Sequence, residues 1–177
     1  EPGKLSYGSA GIGSSLHMSM ELLKQISGID VVHVPYRGAA PAVTDAVAGR
    51  IEILMADVPA ILSQIRGGTL RPLGISAPKR LDILPELPTL TEAGLPGMIS
   101  DTSYGLVAPA GTPEPIIKHL ADHLSRALAS AEVRDAIRRD AATERDLPMQ
   151  GFRKFIQEDI ERYKGAITPA LLKEISQ

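Results

Sequence analysis

The first 76 residues alternate between short β-branched segments and amphipathic segments, and this alternation limits the possible fold most strongly. The segment 31–34 is rich in Val and stops at Pro35, which is typical of a strand. The segment 14–27 repeats apolar residues at three- and four-residue spacing and stops at Gly28, which is typical of a helix. On the same criteria we predict strands at 5–8, 31–34, 51–55 and 70–76, and helices at 14–27, 39–48 and 58–66. This order predicts an α/β fold, a mostly parallel sheet with helices on its faces.

The second half of the chain is mainly helical. Regularity drops between 77 and 100, where Pro and Gly predict turns and one short helix near 90–93. Beyond it we predict a strand at 104–108 and helices at 114–130, 131–140 and 149–166, the first of them capped by Thr112. One strand and three amphipathic helices have no sheet of their own to pack against. We therefore predict an α/β region at 3–98 and a mainly helical region at 103–177.

Composition excludes several classes of protein and site. The sequence has no Cys, which excludes disulfide scaffolds, thiolate metal sites and Cys nucleophiles. The net charge is −2 and the aromatic content is 3%, so we expect no nucleic-acid partner. No apolar run reaches the ~20 residues of a membrane span. The chain starts at Glu1 with neither an initiator Met nor a signal peptide, so we expect a processed product or a fragment.

A loop rich in Gly and Ser separates the first predicted strand from the first predicted helix. It reads GSAGIGSS over residues 8–15, and its glycines allow close approach of a ligand to the backbone. Ser14 or Ser15 can cap the helix, whose remaining N–H groups and positive dipole end attract an anion such as a carboxylate. The alternative is a tight turn that binds nothing. The loop is neither a Walker motif nor a full dinucleotide fingerprint, so we expect no cofactor.

Two further turns follow predicted strands, at the sheet edge where open α/β sheets bind ligands. In the VPYRG turn (34–38), Arg37 could pair with a carboxylate and Tyr36 could donate a hydrogen bond. The alternative there is a solvated surface turn. Asp57 follows the third strand, as the N-cap of the next helix or as an acceptor for a ligand amine or hydroxyl. Both roles of Asp57 are compatible.

Catalytic and metal sites are not expected. Ser14, His17 and Asp57 could be imagined as a hydrolase triad, but the sequence has no G-x-S-x-G elbow and the order fits no known triad. His119 and His123 have the i, i+4 spacing of a metal pair, but the Glu of H-E-x-x-H is absent. We therefore interpret these two His as part of a solvated helix face and predict that the protein is not an enzyme.

Four motifs in fixed order resemble the Bug-type substrate-binding receptors of tripartite tricarboxylate transporters. They are GSAGIGSSLH (8–17), VPYRGAAPAVTDAVAGRIEI (34–53), GGTLRPLGISAPKRLDILPELPTLTEAGLPG (67–97) and GLVAPAGTPEPI (105–116), and the resemblance covers essentially all 177 residues. It implies a periplasmic-binding-protein-like fold of type II, with two α/β lobes that clamp a small carboxylate or amino acid.

The resemblance also implies a set of ligand-facing residues, on loops that bind through backbone N–H groups and hydroxyls. These residues are Ser9, Ala10, Gly11, Gly13, Ser14, His17, Tyr36, Arg37, Gly38 and Asp57. Arg37 departs mildly from the family, whose members commonly have Lys there. Members of the family are also near 300 residues long. By this resemblance, residues 3–98 form lobe two and residues 103–177 return to complete a lobe one that lacks its N-terminal part.

The implied role is a periplasmic receptor that delivers its ligand to membrane permease subunits. A ligand-sensing module that signals to a membrane partner would use the same fold and cleft, and a small serine hydrolase is a remote third alternative. Because the helices of 103–177 lack a sheet, we expect exposed apolar faces and self-association, as a homodimer or swapped assembly.

Overall fold

A three-stranded parallel sheet forms the centre of the first part of the chain. The computed structural model describes residues 2–147 and 149–176. The strands are β1 (Ser6–Ser9), β2 (Val32–Pro35) and β3 (Ile53–Leu54), in the spatial order β2-β1-β3. Tyr7 of β1 pairs with His33 of β2 on one side and with Ile53 of β3 on the other. The predicted parallel α/β arrangement is therefore confirmed for the first three strands.

Each of these strands is followed by a helix, as the sequence predicts. The helices are α1 (Ser15–Ser27), α2 (Ala39–Val47) and α3 (Val58–Arg66). Ser14 caps α1, and Gly28 ends it in the left-handed conformation that the prediction required. In β1, Tyr7 packs with Met20 of α1, whereas Gly8 faces Ala42 of α2. Because successive strand residues point to opposite faces, α1 and α2 cover opposite faces of the sheet.

The chain divides into two compact units. Unit 1 comprises residues 1–102 and 163–177, and unit 2 comprises residues 103–162. Unit 2 contains α4 (Glu114–Ala129), α5 (Ala131–Arg139) and most of α6 (Met149–Lys164). A last helix, α7 (Pro169–Ile175), was not predicted and packs within unit 1. Residues 163–177 of the predicted region 103–177 therefore belong to unit 1.

Three predicted elements are absent from the described residues. The strand predicted at 70–76 is wrong, because Ile75 forms only a single parallel bridge with Thr89. Pro72 has no N–H for a ladder, and a Cβ at Gly74 would lie 2.6 Å from Leu90. The strand predicted at 104–108 is also wrong, because no neighbouring strand among the described residues pairs with it. The short helix near 90–93 is a hydrogen-bonded turn.

The buried core lies in unit 1. One cluster groups Tyr7, Met20 and Val31, and a second groups Leu22, Met98 and Ala166. Within the described part of unit 2, no residue is fully buried. Many of its apolar side chains are exposed, among them Tyr104 at 90% and Val107 at 75% of their accessible surface.

No helix among the described residues combines the length and apolar content that a membrane crossing requires.

The helix start of α4 differs in one detail from its prediction. Pro113, not Thr112, occupies the N-cap position, and no side chain caps the helix. The Thr112 hydroxyl instead donates to the Pro109 carbonyl at 2.8 Å, which closes the preceding turn.

Candidate functional site

The strand order places a crevice between β1 and β3. In parallel sheets, the chain reverses its winding direction at such a point, and ligands bind beyond the carboxyl ends of the strands there. The loop after β1 leads into α1, and the loop after β3 leads into α3. The loop after β2 leads into α2 at the same edge, so three helix N-termini share one end of the sheet.

The glycine loop between β1 and α1 is fixed by its own hydrogen bonds. Gly11 has φ +129° and Gly13 has φ +74°, two conformations that favour glycine. The Ser14 hydroxyl donates to the Gly11 carbonyl at 2.7 Å and accepts from the His17 N–H at 3.3 Å. A Cβ on Gly11 would lie 3.2 Å from the Tyr36 carbonyl oxygen. The loop conformation therefore favours glycine at positions 11 and 13, and Gly11 packs closely against the VPYRG turn (34–38).

Only some N–H groups of this loop remain for a ligand. The Gly11 N–H donates to the Ser9 hydroxyl at 3.1 Å, and the Gly13 N–H donates to His17 Nδ1 at 3.0 Å. Both glycine N–H groups thus point inward, unlike the outward-facing donors that the sequence suggests. Among the described residues, no acceptor contacts the N–H groups of Ile12, Ser15 and Leu16. The open donors therefore lie at Ile12 and in the first turn of α1.

The VPYRG turn lies against the glycine loop. Its Tyr36 and Gly38 N–H groups donate to the carbonyls of Ser9 and Ala10, at 3.2 and 3.1 Å. The Tyr36 hydroxyl donates to Asp45 Oδ2 at 2.8 Å, so it braces α2 rather than facing the edge. Arg37 is exposed, and no carboxylate pairs with it within the described chain. Of the two side chains that the sequence singled out, only that of Arg37 is open.

Gly38 and the start of α2 add further open donors. Gly38 is the N-cap of α2 with φ +109°, and no side chain caps this helix. The third helical position is Pro41, which has no N–H, and the N–H groups of Ala39 and Ala40 have no acceptor among the described residues. Two neighbouring helix starts therefore offer uncapped donors at one edge.

Asp57 occupies the N-cap position of α3, as predicted, but its side chain does not cap. No hydrogen bond joins its carboxylate to the first turn of α3. Asp57 is half-buried, and its carboxylate forms no ion pair within 2–147 and 149–176. It is therefore the one acidic group among the predicted site residues, and it is open as an acceptor.

A buried polar cluster lies beneath the glycine loop. His17 is 1% exposed and stacks on the ring of His33, with centroids 3.8 Å apart. The Tyr7 ring stacks on His33 at 4.8 Å, and its hydroxyl donates to Glu21 Oε1 at 2.9 Å. Burial, followed by the Glu21 carboxylate, raises the pKa of Tyr7 above its usual range. Ser9 is fully buried in this cluster, so its hydroxyl supports the loop from below.

His33 is the residue that the sequence analysis missed. Its Nε2 lies 2.7 Å from the Ser9 hydroxyl, and its buried Nδ1 has no hydrogen-bond partner among the described residues. Glu174 of α7 is nearest, with Oε1 3.4 Å from Nδ1. The available signal was the pairing of parallel strands, which sets position 33 beside position 7 and close to α1. That pairing depends on a register that sequence alone does not fix.

His17, His33 and Glu174 each offer a potential ligand atom, and these atoms lie within 4.8 Å of one another. The arrangement does not suit a single metal ion. An ion lies in the plane of each imidazole that binds it, but these two rings are stacked at only 16° to each other. In addition, His17 Nδ1 accepts the Gly13 N–H, which places the proton on Nε2 and occupies both nitrogens. We assign no metal to this cluster.

A cleft of about 350 Å³ opens elsewhere in unit 1. It is lined by Glu21, Lys24, Gln25, Gly165, Ala166 and Thr168. None of these residues belongs to the three loops at the sheet edge, so we do not assign the ligand to this cleft. On the exposed surface of α4, the rings of His119 and His123 lie 4.1 Å apart between centroids and are tilted by 47° to each other, and both residues are exposed.

Relatives of this chain include two curated bacterial proteins. A protein from the tcbD-tcbE intergenic region of Pseudomonas sp. is 41% identical over 138 residues, covering 77% of this chain and 41% of the relative. BugT of Bordetella pertussis is 33% identical over 174 residues, covering 97% of this chain and 53% of BugT. The chain thus spans about half the length of these relatives.

Similar solved structures include a periplasmic transporter with 38% identity and a TM-score of 0.78, and an R. palustris protein with adipate, with 31% identity and a TM-score of 0.81. MatC from Rhodopseudomonas palustris with bound malate has 31% identity and a TM-score of 0.78. Each match covers 94% of this chain and between 54% and 57% of the other. The predicted fold class, an α/β lobe of the periplasmic-binding-protein type with a mainly helical C-terminal part, is confirmed. Residues 1–172 match the family described as tripartite tricarboxylate transporter family receptor, and the chain therefore belongs to the TctC family, which confirms its Bug-type resemblance.

Proposed function

We propose that this chain forms part of a periplasmic receptor that captures a small organic carboxylate or amino acid for delivery to membrane permease subunits. The observation that carries the proposal is the edge where open N–H donors of two helix N-termini lie near Arg37, which is exposed and has no carboxylate partner among the described residues. Two similar structures contain the dicarboxylates malate and adipate, which supports the same class of ligand here. The relatives are binding receptors, which supports a role without catalysis.

The chemistry of the edge suits a carboxylate group. An ionised carboxylate only accepts hydrogen bonds, and the open groups of Ile12, Ser15 and Leu16 only donate them through the backbone. The positive end of the α1 dipole favours the negative charge. Arg37 adds a charge-assisted donor from the neighbouring turn.

Asp57 gives the site a way to distinguish ligands. As an open acceptor after β3, it would receive a hydrogen bond from a ligand hydroxyl or ammonium group. A hydroxy acid such as malate offers such a donor, whereas adipate does not. We expect Asp57→Ala, which removes the acceptor, to weaken malate binding relative to adipate binding, and equal changes for the two ligands would exclude this role.

The proposal is tested first by native mass spectrometry of the purified protein and then by calorimetry with malate and adipate. A retained organic acid or a saturable titration is the expected result. Arg37→Gln should weaken binding about tenfold, because one charge-assisted hydrogen bond is lost. Arg66→Gln is the matched control, since this exposed Arg ends α3 at its far end from the ligand loops. Equal affinities for both variants would contradict the assignment of Arg37.

We further propose that unit 2 completes a receptor lobe, and that in this chain its apolar surface supports self-association as a homodimer. Its helices expose apolar side chains, among them Ile116 at 50% and Ile160 at 59% of their accessible surface. Exposed apolar area of this kind favours association. Analytical ultracentrifugation over a concentration series should show dimers, and a monomer at every concentration would contradict the proposal.

A further inference from the structure

Two imidazoles hold the glycine loop from below. His17 Nδ1 accepts the Gly13 N–H at 3.0 Å. His33 Nε2 contacts the Ser9 hydroxyl at 2.7 Å, and that hydroxyl oxygen accepts the Gly11 N–H at 3.1 Å. Each of the two inward-pointing glycine N–H groups is thus held by one imidazole, directly or through Ser9.

The hydrogen bond from Gly13 fixes the protonation state of His17. A backbone N–H can only donate, so Nδ1 must carry a free lone pair and the ring proton must lie on Nε2. His17 Nε2 lies 4.0 Å from Glu21 Oε1, which is the side on which a proton is favourable. An imidazolium has no acceptor at Nδ1, so a proton taken up there would break the bond to the loop.

Burial opposes a positive charge on either imidazole, although the carboxylates of Glu21 and Glu174 lie nearby. Burial, and then the stacked His33, lowers the pKa of His17, while nearby carboxylates raise it less. Burial also lowers the pKa of His33, against the opposing effect of Glu174. The titratable and charged groups that face the pair are Tyr7 of β1, Glu21 and Lys24 of α1, and Glu174 of α7.

We propose that neutral His17 is a positioning residue for the ligand loop, and that ligand binding weakens when its imidazole takes up a proton. The inference rests on the proposed function, because it concerns the same loop. His33 supports the same loop through Ser9, whose hydroxyl oxygen can accept from the Gly11 N–H and from His33 at the same time. The pH dependence is therefore proposed for His17 alone.

The sign of the pH dependence follows from the lowered pKa values. A fold that lowers the pKa of His17 stabilises the neutral ring relative to the unfolded chain. This stabilisation is complete above the ordinary value of 6.5 and is lost as the pH falls from there toward the lowered folded value. Loop order and affinity are therefore highest at neutral pH and decline on acidification.

The binding test compares malate affinity at pH 7.5 and 5.5 by calorimetry. We expect the wild type to lose affinity by less than about tenfold, because the pKa of folded His17 lies below 6.5 and its protonation at pH 5.5 is incomplete. His17→Asn keeps an acceptor near Nδ1 without titrating, and should bind within about threefold of wild type at pH 7.5 with a flatter pH profile. His17→Leu should bind weakly at both pH values, and His119→Asn, on an exposed helix face, should keep the wild-type profile. Malate's own protonation is common to all variants, so differences between them report on the protein.

Two binding results would overturn the inference. One is wild-type affinity and pH profile in His17→Leu, and the other is a wild-type loss on acidification in His17→Asn.

A second measurement does not depend on ligand or on a variant. Nitrogen-15 NMR of the wild type should show His17 protonated at Nε2 and not at Nδ1 at pH 7.5, with the Gly13 amide resonance shifting as His17 titrates. The Nδ1–H tautomer, or a Gly13 amide that ignores this titration, would overturn the inference. If neither malate nor adipate binds, the proposed function fails, while this measurement still decides the role of His17.

Discussion

The Ser9 hydroxyl joins the ligand loop to the buried core, and its removal should destabilise unit 1. The side chain is fully buried, and its oxygen contacts the Gly11 N–H at 3.1 Å and His33 Nε2 at 2.7 Å. Ser9→Ala leaves both groups buried without this partner. An orphaned buried polar group costs roughly 1–3 kcal/mol, so the two together should lower the free energy of unfolding by about 2–6 kcal/mol.

Urea unfolding followed by circular dichroism measures this difference, with an unchanged dependence on denaturant as the sign of an unchanged fold. Ser63→Ala is the matched control, because this Ser is exposed on α3 and its hydroxyl donates only to the Gln64 side chain. Its free energy of unfolding should stay within about 0.5 kcal/mol of wild type. A loss below about 1 kcal/mol in Ser9→Ala would refute the reasoning. Such a loss combined with weaker ligand binding would instead support a ligand-facing Ser9, as the family resemblance implies.

Two further substitutions test the packing around this edge. Gly8→Ala should cost about 1–3 kcal/mol of stability, because the new Cβ would lie 2.5 Å from Ile51 Cδ1 in a buried strand. Gly49→Ala meets no atom within 4 Å and should cost only the left-handed strain of about 1 kcal/mol, so equal losses in thermal unfolding would contradict the packing argument. Tyr36→Phe should raise the pKa of Asp45 toward its ordinary 3.8, because the Tyr36 hydroxyl, followed by Arg50, holds that pKa low. Carbon-13 NMR of Asp45 measures this shift. In the wild type, the lowered pKa of Asp45 contributes stability that is lost as the pH falls through the lowered value, and this loss should be smaller in Tyr36→Phe.

Local signals sufficed to predict the first three strand–helix pairs. Apolar spacing, the cap at Ser14 and the stop at Gly28 are properties of neighbouring residues, and α1 and α3 agree with their predictions to within one residue. The strands at 70–76 and 104–108 were wrong for a different reason. A strand exists only when another strand pairs with it, and β-propensity contains no information about the presence of that partner. The helix α7 was missed because its seven residues contain little periodicity, although Thr168 and Pro169 are a good helix start.

The candidate site could also be predicted only in part, because some of its features depend on tertiary contacts. The sequence shows glycines, a helix cap and an Arg directly after the predicted strands. In a parallel sheet the carboxyl ends of the strands meet at one edge, so these residues come together irrespective of their side-chain conformations. The sequence does not tell which way each N–H points, and here the glycine donors turn inward to Ser9 and His17 while the first turn of α1 stays open. A lone buried His is more often structural than ligand-binding, but here the structural contact is the one that shapes the ligand loop. The residues that support the predicted ligand loop therefore include His33, a side chain that lies beneath the loop and contacts Ser9.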